Sequence, residues 1–108
     1  MSLEPQAEYE AVVSEMMATS PTSSGKMFGM PCLKNSNGKA YAGFFEDSMV
    51  FKLGGASHTE ALALTGTRLF DPAGGRPMKE WVVVPIDHVS RWLEFAREAF
   101  EYVADKKI

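Results

Sequence analysis

Four residues of the sequence could together bind an anion or a planar ligand: Lys52, Arg76, Lys79 and Trp81. Lys79 and Trp81 are two positions apart in a run typical of a β-strand, so their side chains share one face. A cation beside an aromatic ring can hold an anion or a planar group, or stack a single-stranded base. The structural alternative buries Trp81 in the core, pairs Lys79 with Glu80 or Asp71, and leaves Arg76 in solvent.

For the cysteine and the two histidines, whose side chains can react or bind metals, the sequence favours structural roles. Cys32 is the only cysteine, and only Lys34 is near enough in sequence to lower its pKa, so we expect a small buried apolar residue. His58 and His88 fall in the first turns of predicted helices, and with Cys32 they lack the short spacings of zinc sites. The sequence also contains no serine-hydrolase elbow and no phosphate-binding glycine loop. We therefore predict no catalytic residue, no metal site and no cofactor, and we expect a protein that is not an enzyme.

Composition indicates one globular domain over residues 1–108, with Met1-Ser2-Leu3 typical of a vector-derived remnant. Apolar residues make up 45% of the 108 residues and charged residues 23%, as in packed domains. A net charge of −3 argues against direct nucleic-acid binding. No apolar run is long enough for a membrane span. Since one cysteine cannot form an internal disulfide, the expected location is the cytoplasm.

Hydrophobic periodicity and turn residues predict three helices and five strands. The helices are residues 4–18, a short segment with a capping box from Ser57 to Glu60, and a long segment that begins at Asp87. The strands are residues 26–33, 39–46, 49–53, 67–70 and 78–84. Asn37-Gly38 is a strong hairpin signal, and residues 19–25 are expected to be a polar connection. The fold class is therefore α+β: a two-layer sandwich in the order α-β-β-β-α-β-β-α, with a mostly antiparallel five-stranded sheet packed by the N- and C-terminal helices.

Apolar residues on both faces of the strands predict a partner surface. The run Val82–Val84 and the strand 39–46 cannot leave either face in water, and two helices cover only one face of a sheet. Exposed apolar patches usually mark an interface, and a symmetric homodimer is the simplest assembly. The candidate dimer residues are Tyr41, Phe45, Phe95 and Tyr102.

Several segments together resemble the N-terminal domain of TfoX/Sxy-type competence regulators, and in particular its small stand-alone bacterial relatives. These segments are Lys26–Pro31, Gly38–Gly43, Val50–Leu53, Phe70–Pro72 and Gly75–Trp81. The similarity runs from about Gly25 through the final helix, and Gly-Arg-Pro-Met-Lys-Glu-Trp is its most specific part.

The resemblance implies a small α+β two-layer sandwich that commonly dimerises. It also implies a role in transcription regulation through a protein partner. Members of the family carry a second, C-terminal helical domain, whereas this sequence ends at Ile108, after the helix that closes the first domain. We therefore expect a non-enzymatic regulatory or protein-interaction domain. The alternative is a protein that binds a small anion or planar ligand, or an unrecognised enzyme, through the four residues named first.

Overall fold

The structure, a computed structural model, describes residues 4–27, 29–71, 75 and 78–104. Within these residues the helices are α1 (Pro5–Thr19), α2 (Gly55–Ala63), a 3₁₀ helix (Ile86–Arg91) and α3 (Trp92–Ala104). The strands are β1 (Thr22–Met27), β2 (Met30–Asn35), β3 (Ala40–Phe45), β4 (Ser48–Lys52), β5 (Arg68–Phe70) and β6 (Met78–Pro85). They form one antiparallel sheet in the order β1-β2-β3-β4-β6-β5.

The predicted α+β class is confirmed, but the prediction of five strands is wrong. The expected single strand over residues 26–33 is a hairpin, in which β1 pairs with β2 from Thr22↔Asn35 to Met27↔Met30. Gly29 has a φ of 77°, which a glycine adopts at little cost and which lets the chain reverse there. Most of the expected polar connection over residues 19–25 is therefore strand β1.

One face of the sheet carries the main core, beneath α1 and α3. Alternation along β6 points Val82 and Val84 to this face, where both are fully buried. Fully or largely buried residues from all three helices and from β2, β3, β4 and β6 join them, among them Tyr9, Met16, Leu33, Phe51, Ala61, Trp92 and Phe95. The apolar stripes of α1 and α3 are thus the surfaces that cover the sheet.

The opposite face of the sheet, here called the outer face, has a smaller apolar cluster. Its buried members are Met30, Val50, Phe70, Trp81 and Val83. The rings of Phe45 on β3 and Phe70 on β5 meet edge to face with their centroids 5.1 Å apart. This cluster buries apolar side chains, Val83 among them, on a face where we expected an exposed apolar patch.

Two predicted helix starts differ from the structure. Helix α2 begins at Gly55 after Gly54, with no side-chain cap, and the Ser57 hydroxyl donates to Glu98 Oε1 on α3 at 2.8 Å. The capping box is therefore absent, since a partner from another helix takes the hydroxyl. The segment after Pro85 is a 3₁₀ helix, and α3 starts only at Trp92. Among the described residues, none of the helices has the length and apolar character that crossing a membrane would require.

Candidate functional site

The predicted ligand-binding residues lie around Trp81 on the outer face. Lys52 on β4 is the register partner of Trp81, and Lys79 is two residues earlier on β6, so all three share this face. Lys79 is exposed, whereas Trp81 is only 7% exposed. The indole is therefore a core residue and leaves little surface on which a ligand could stack. Arg76, the fourth candidate, lies outside the described residues.

Lys52 forms an ion pair with Glu80, the residue before Trp81 on β6. Its Nζ lies 3.6 Å from Glu80 Oε1, and Glu80 Oε2 accepts a hydrogen bond of 2.9 Å from the Tyr102 hydroxyl. The backbone carbonyl of Glu80 accepts from the Leu53 amide at 2.8 Å. Glu80 thus joins β6 to β4 and to α3, and its ion pair is with Lys52 where the sequence suggested Lys79.

The four predicted dimer residues do not form one surface. Tyr41 and Phe95 have no exposed area, because Tyr41 packs edge to face on Phe100 at 5.3 Å and Phe95 lies against Phe51. Tyr102 is half-buried beside Gly54 on the helix side. Phe45 is half-buried on the outer face. The assignment of Tyr41 and Phe95 to an exposed interface is therefore corrected, since both fill the core of the single chain.

The burial and hydrogen bonds of Cys32 and the two histidines favour structural roles for these residues. Cys32 has no exposed area, and burial raises the pKa of its thiol although Lys34 opposes the shift. His58 Nε2 lies 2.7 Å from the carbonyl oxygen of Lys79, and His88 Nε2 lies 2.7 Å from that of Thr65. A carbonyl only accepts, so each Nε2 is the donor in its bond. The His58 imidazole therefore ties α2 to β6, and the His88 imidazole ties the 3₁₀ helix to the loop that follows α2.

A groove lies between α1 and the junction of the 3₁₀ helix with α3. Its volume is about 240 Å³. Four of its six lining residues are apolar and the other two are glutamates. The lining residues are Glu8, Ala11, Val12, Glu15, Val89 and Leu93.

The rim of the groove is acidic and partly neutralised at one end. Arg97 on α3 donates to Glu15 Oε2 at 3.2 Å and links the two walls there. Among the described residues, Glu8 makes no ion pair with a cationic side chain. The segment 1–23 contains four glutamates and no lysine or arginine, so the wall that α1 provides has a negative field.

The sequence analysis did not predict this groove. Glu8, Ala11, Val12 and Glu15 have the spacing i, i+3, i+4 and i+7, which places them along one side of α1, where Val12 also belongs to the core. That spacing is the one signal that could have indicated the wall. The other wall is contributed by Val89 and Leu93, about 80 residues later, so only the tertiary structure reveals the groove.

No protein-family model, curated protein or solved structure matches this chain.

Proposed function

We propose that this chain is a non-enzymatic protein-interaction domain with a regulatory role in the cytoplasm. The resemblance to the N-terminal domain of TfoX/Sxy-type regulators suggests this class. The groove between α1 and the 3₁₀–α3 junction is the observation that supports it best, because helices that present an apolar cleft with a charged rim are a common way to bind another protein.

The dimensions of the groove favour a protein over a small molecule. Small-molecule pockets usually have about 300–1,000 Å³ and enclose most of the ligand, whereas this groove has about 240 Å³. Its polar lining groups are the carboxylates of Glu8 and Glu15, and Arg97 holds the second of them. A partner that inserts a few apolar side chains while the rest of it lies on the rim fits this shape.

The same resemblance leads us to propose a homodimer that forms through the outer face. Phe45 and Met78 are half-buried there, beside the apolar cluster that contains Trp81. Light scattering at micromolar concentration should give twice the mass of the chain. A monomer at that concentration would refute the proposed dimerisation, whereas the proposed role of the groove does not depend on it.

The interaction role can be tested by photocrosslinking in the cells that make the protein. A photoreactive amino acid is placed at Ala11 in the groove or at Met17, which is exposed on the opposite side of α1. We expect Ala11 to yield an adduct with one defined protein that Met17 does not yield. Equal adducts from both positions, or none from Ala11, would refute the interaction role of the groove.

A further inference from the structure

We infer that the groove binds an amphipathic helix of a partner protein that carries lysine or arginine along the margins of its apolar face. This inference rests on the proposed function and specifies the chemistry of the partner.

The shape of the α1 wall suits a third helix. Its lining residues follow the spacing i, i+3, i+4 and i+7, which is the pattern of a helix–helix packing ridge. Ala11, exposed at the middle of this ridge, is small, so another helix can approach the backbone of α1 closely. On the opposite wall, Val89 and Leu93 are half-buried and provide apolar surface for contact with the same partner helix.

The length of the groove matches a short helical segment. From Glu8 to Glu15 the α1 wall rises about 10 Å, at 1.5 Å per residue. Two turns of a partner helix would span this distance and would place two or three apolar side chains over the floor. The ion pair between Arg97 and Glu15 limits the groove at one end, so we expect the partner helix to extend past the Glu8 end.

The negative charge beside the groove determines which kind of partner helix can bind there. Glu8 lines the groove and has no ion pair among the described residues, and Glu4, one turn earlier on the same helix, adds negative charge at that end. Lysine or arginine beside the apolar anchors would therefore speed association and favour the correct partner, whereas nucleic acid or an anionic membrane would be repelled. A second copy of this chain that packed α1 against α1 would bring like charges together, so we assign the groove to a different protein.

The test uses a synthetic amphipathic peptide of about 14 residues, a length that covers the groove. Leucines form its apolar stripe and lysines its margins, and a second peptide has glutamate at every lysine position. Fluorescence anisotropy measures the binding of each peptide to the full chain at physiological salt. We expect the lysine peptide to bind and the glutamate peptide not to bind; failure of the lysine peptide to bind would overturn the inference.

Two matched pairs of variants distinguish the groove from general attraction to an acidic helix. Glu8→Lys and Glu10→Lys change the net charge equally, but Glu10 is exposed outside the groove and its side chain is bonded only to Gln6 at 3.4 Å in the described residues. We expect Glu8→Lys to weaken lysine-peptide binding by roughly tenfold, the size of effect that a close charge pair provides, and Glu10→Lys to change it little. Likewise Ala11→Arg should block binding, whereas Met17→Arg, on the opposite side of α1, should not.

Equal losses within either pair would overturn the inference, because binding would then follow net charge or helix stability. Circular dichroism confirms that each variant is folded. The photocrosslinking result separates the two proposals. If Ala11 crosslinks to one protein in cells while the lysine peptide fails to bind, the interaction role stands and the basic-helix chemistry is refuted. If Ala11 yields no adduct, the interaction role itself fails.

Discussion

Gly54 lies directly against the ring of Tyr102, so that a Cβ at position 54 would come within 2.6 Å of Tyr102 Cζ. The φ of Gly54 is −145°, a value that any residue adopts, so the requirement is for space. This close approach lets the Tyr102 hydroxyl reach Glu80, which in turn pairs with Lys52. The start of α2, the end of α3 and strand β6 are therefore fixed relative to one another at one point.

We expect Gly54→Ala to lower the free energy of unfolding by about 1–3 kcal/mol, the cost of adding a methyl group where packing is tight. The loss should be smaller when Tyr102→Ala is already present, because the clash is then removed. Urea unfolding of the two single variants and the double variant measures this coupling. Additive losses would show that the ring of Tyr102 is not what excludes a side chain at position 54.

The indole of Trp81 should behave as a core side chain. Its exposure of 7% and its place in the outer-face cluster lead us to expect that Trp81→Ala costs about 3–5 kcal/mol of stability. Lys79→Ala, two residues away on the same face and exposed, should change stability by less than about 0.5 kcal/mol. Denaturant titrations followed by circular dichroism provide both values. A small effect of Trp81→Ala on stability would instead support the alternative in which the indole ring contacts a ligand.

The helices and the Asn37-Gly38 hairpin were predictable because their signals are local. Helix α1 forms where apolar periodicity predicted a helix and places Tyr9, Val12 and Met16 in the core. Gly38 takes the positive φ of 82° that the turn needs. These features depend on periodicity and on backbone preferences, both of which can be read from a few consecutive residues.

Strand β1 was missed because its residues have no apolar alternation. Thr22, Ser23 and Ser24 resemble a loop until β2 is placed beside them and pairs with each. Long-range contacts likewise decided the role of Ser57, whose hydroxyl reaches Glu98 on α3, and the burial of the outer-face cluster. The two walls of the groove are also far apart in sequence, so the groove was not predicted.

The turn between β3 and β4 contains a residue in an unfavourable conformation. Glu46 is the one non-glycine residue with a positive φ in the described part of the chain, at 56°, and this region costs an ordinary residue roughly 1–2 kcal/mol. We expect Glu46→Gly to raise stability by about 0.5–1 kcal/mol, since part of the relief is offset by the greater freedom of glycine in the unfolded chain. Thermal unfolding of the variant and the parent chain measures this change in stability. Asp47→Gly, at the neighbouring turn position, is the control and should not stabilise; equal gains in both would contradict a conformational cause.

Tyr9 should make the protein sensitive to alkaline conditions. Burial, followed by the nearby Cys32 and Tyr41, raises the pKa of Tyr9 from 10.0 to about 12, and its ring stacks on Phe44 at 5.1 Å. Above pH 10 the unfolded chain therefore loses the Tyr9 proton more readily than the folded chain does. The resulting stabilisation is fully present below pH 10 and is lost as pH rises through about 12.

The variant Tyr9→Phe keeps the ring stacking but cannot ionise. Its urea midpoint should fall less than that of the parent chain between neutral pH and pH 11.5, while ultraviolet absorbance of tyrosinate follows the ionisation itself. Parallel loss of stability in the two proteins would assign the alkaline sensitivity to other groups.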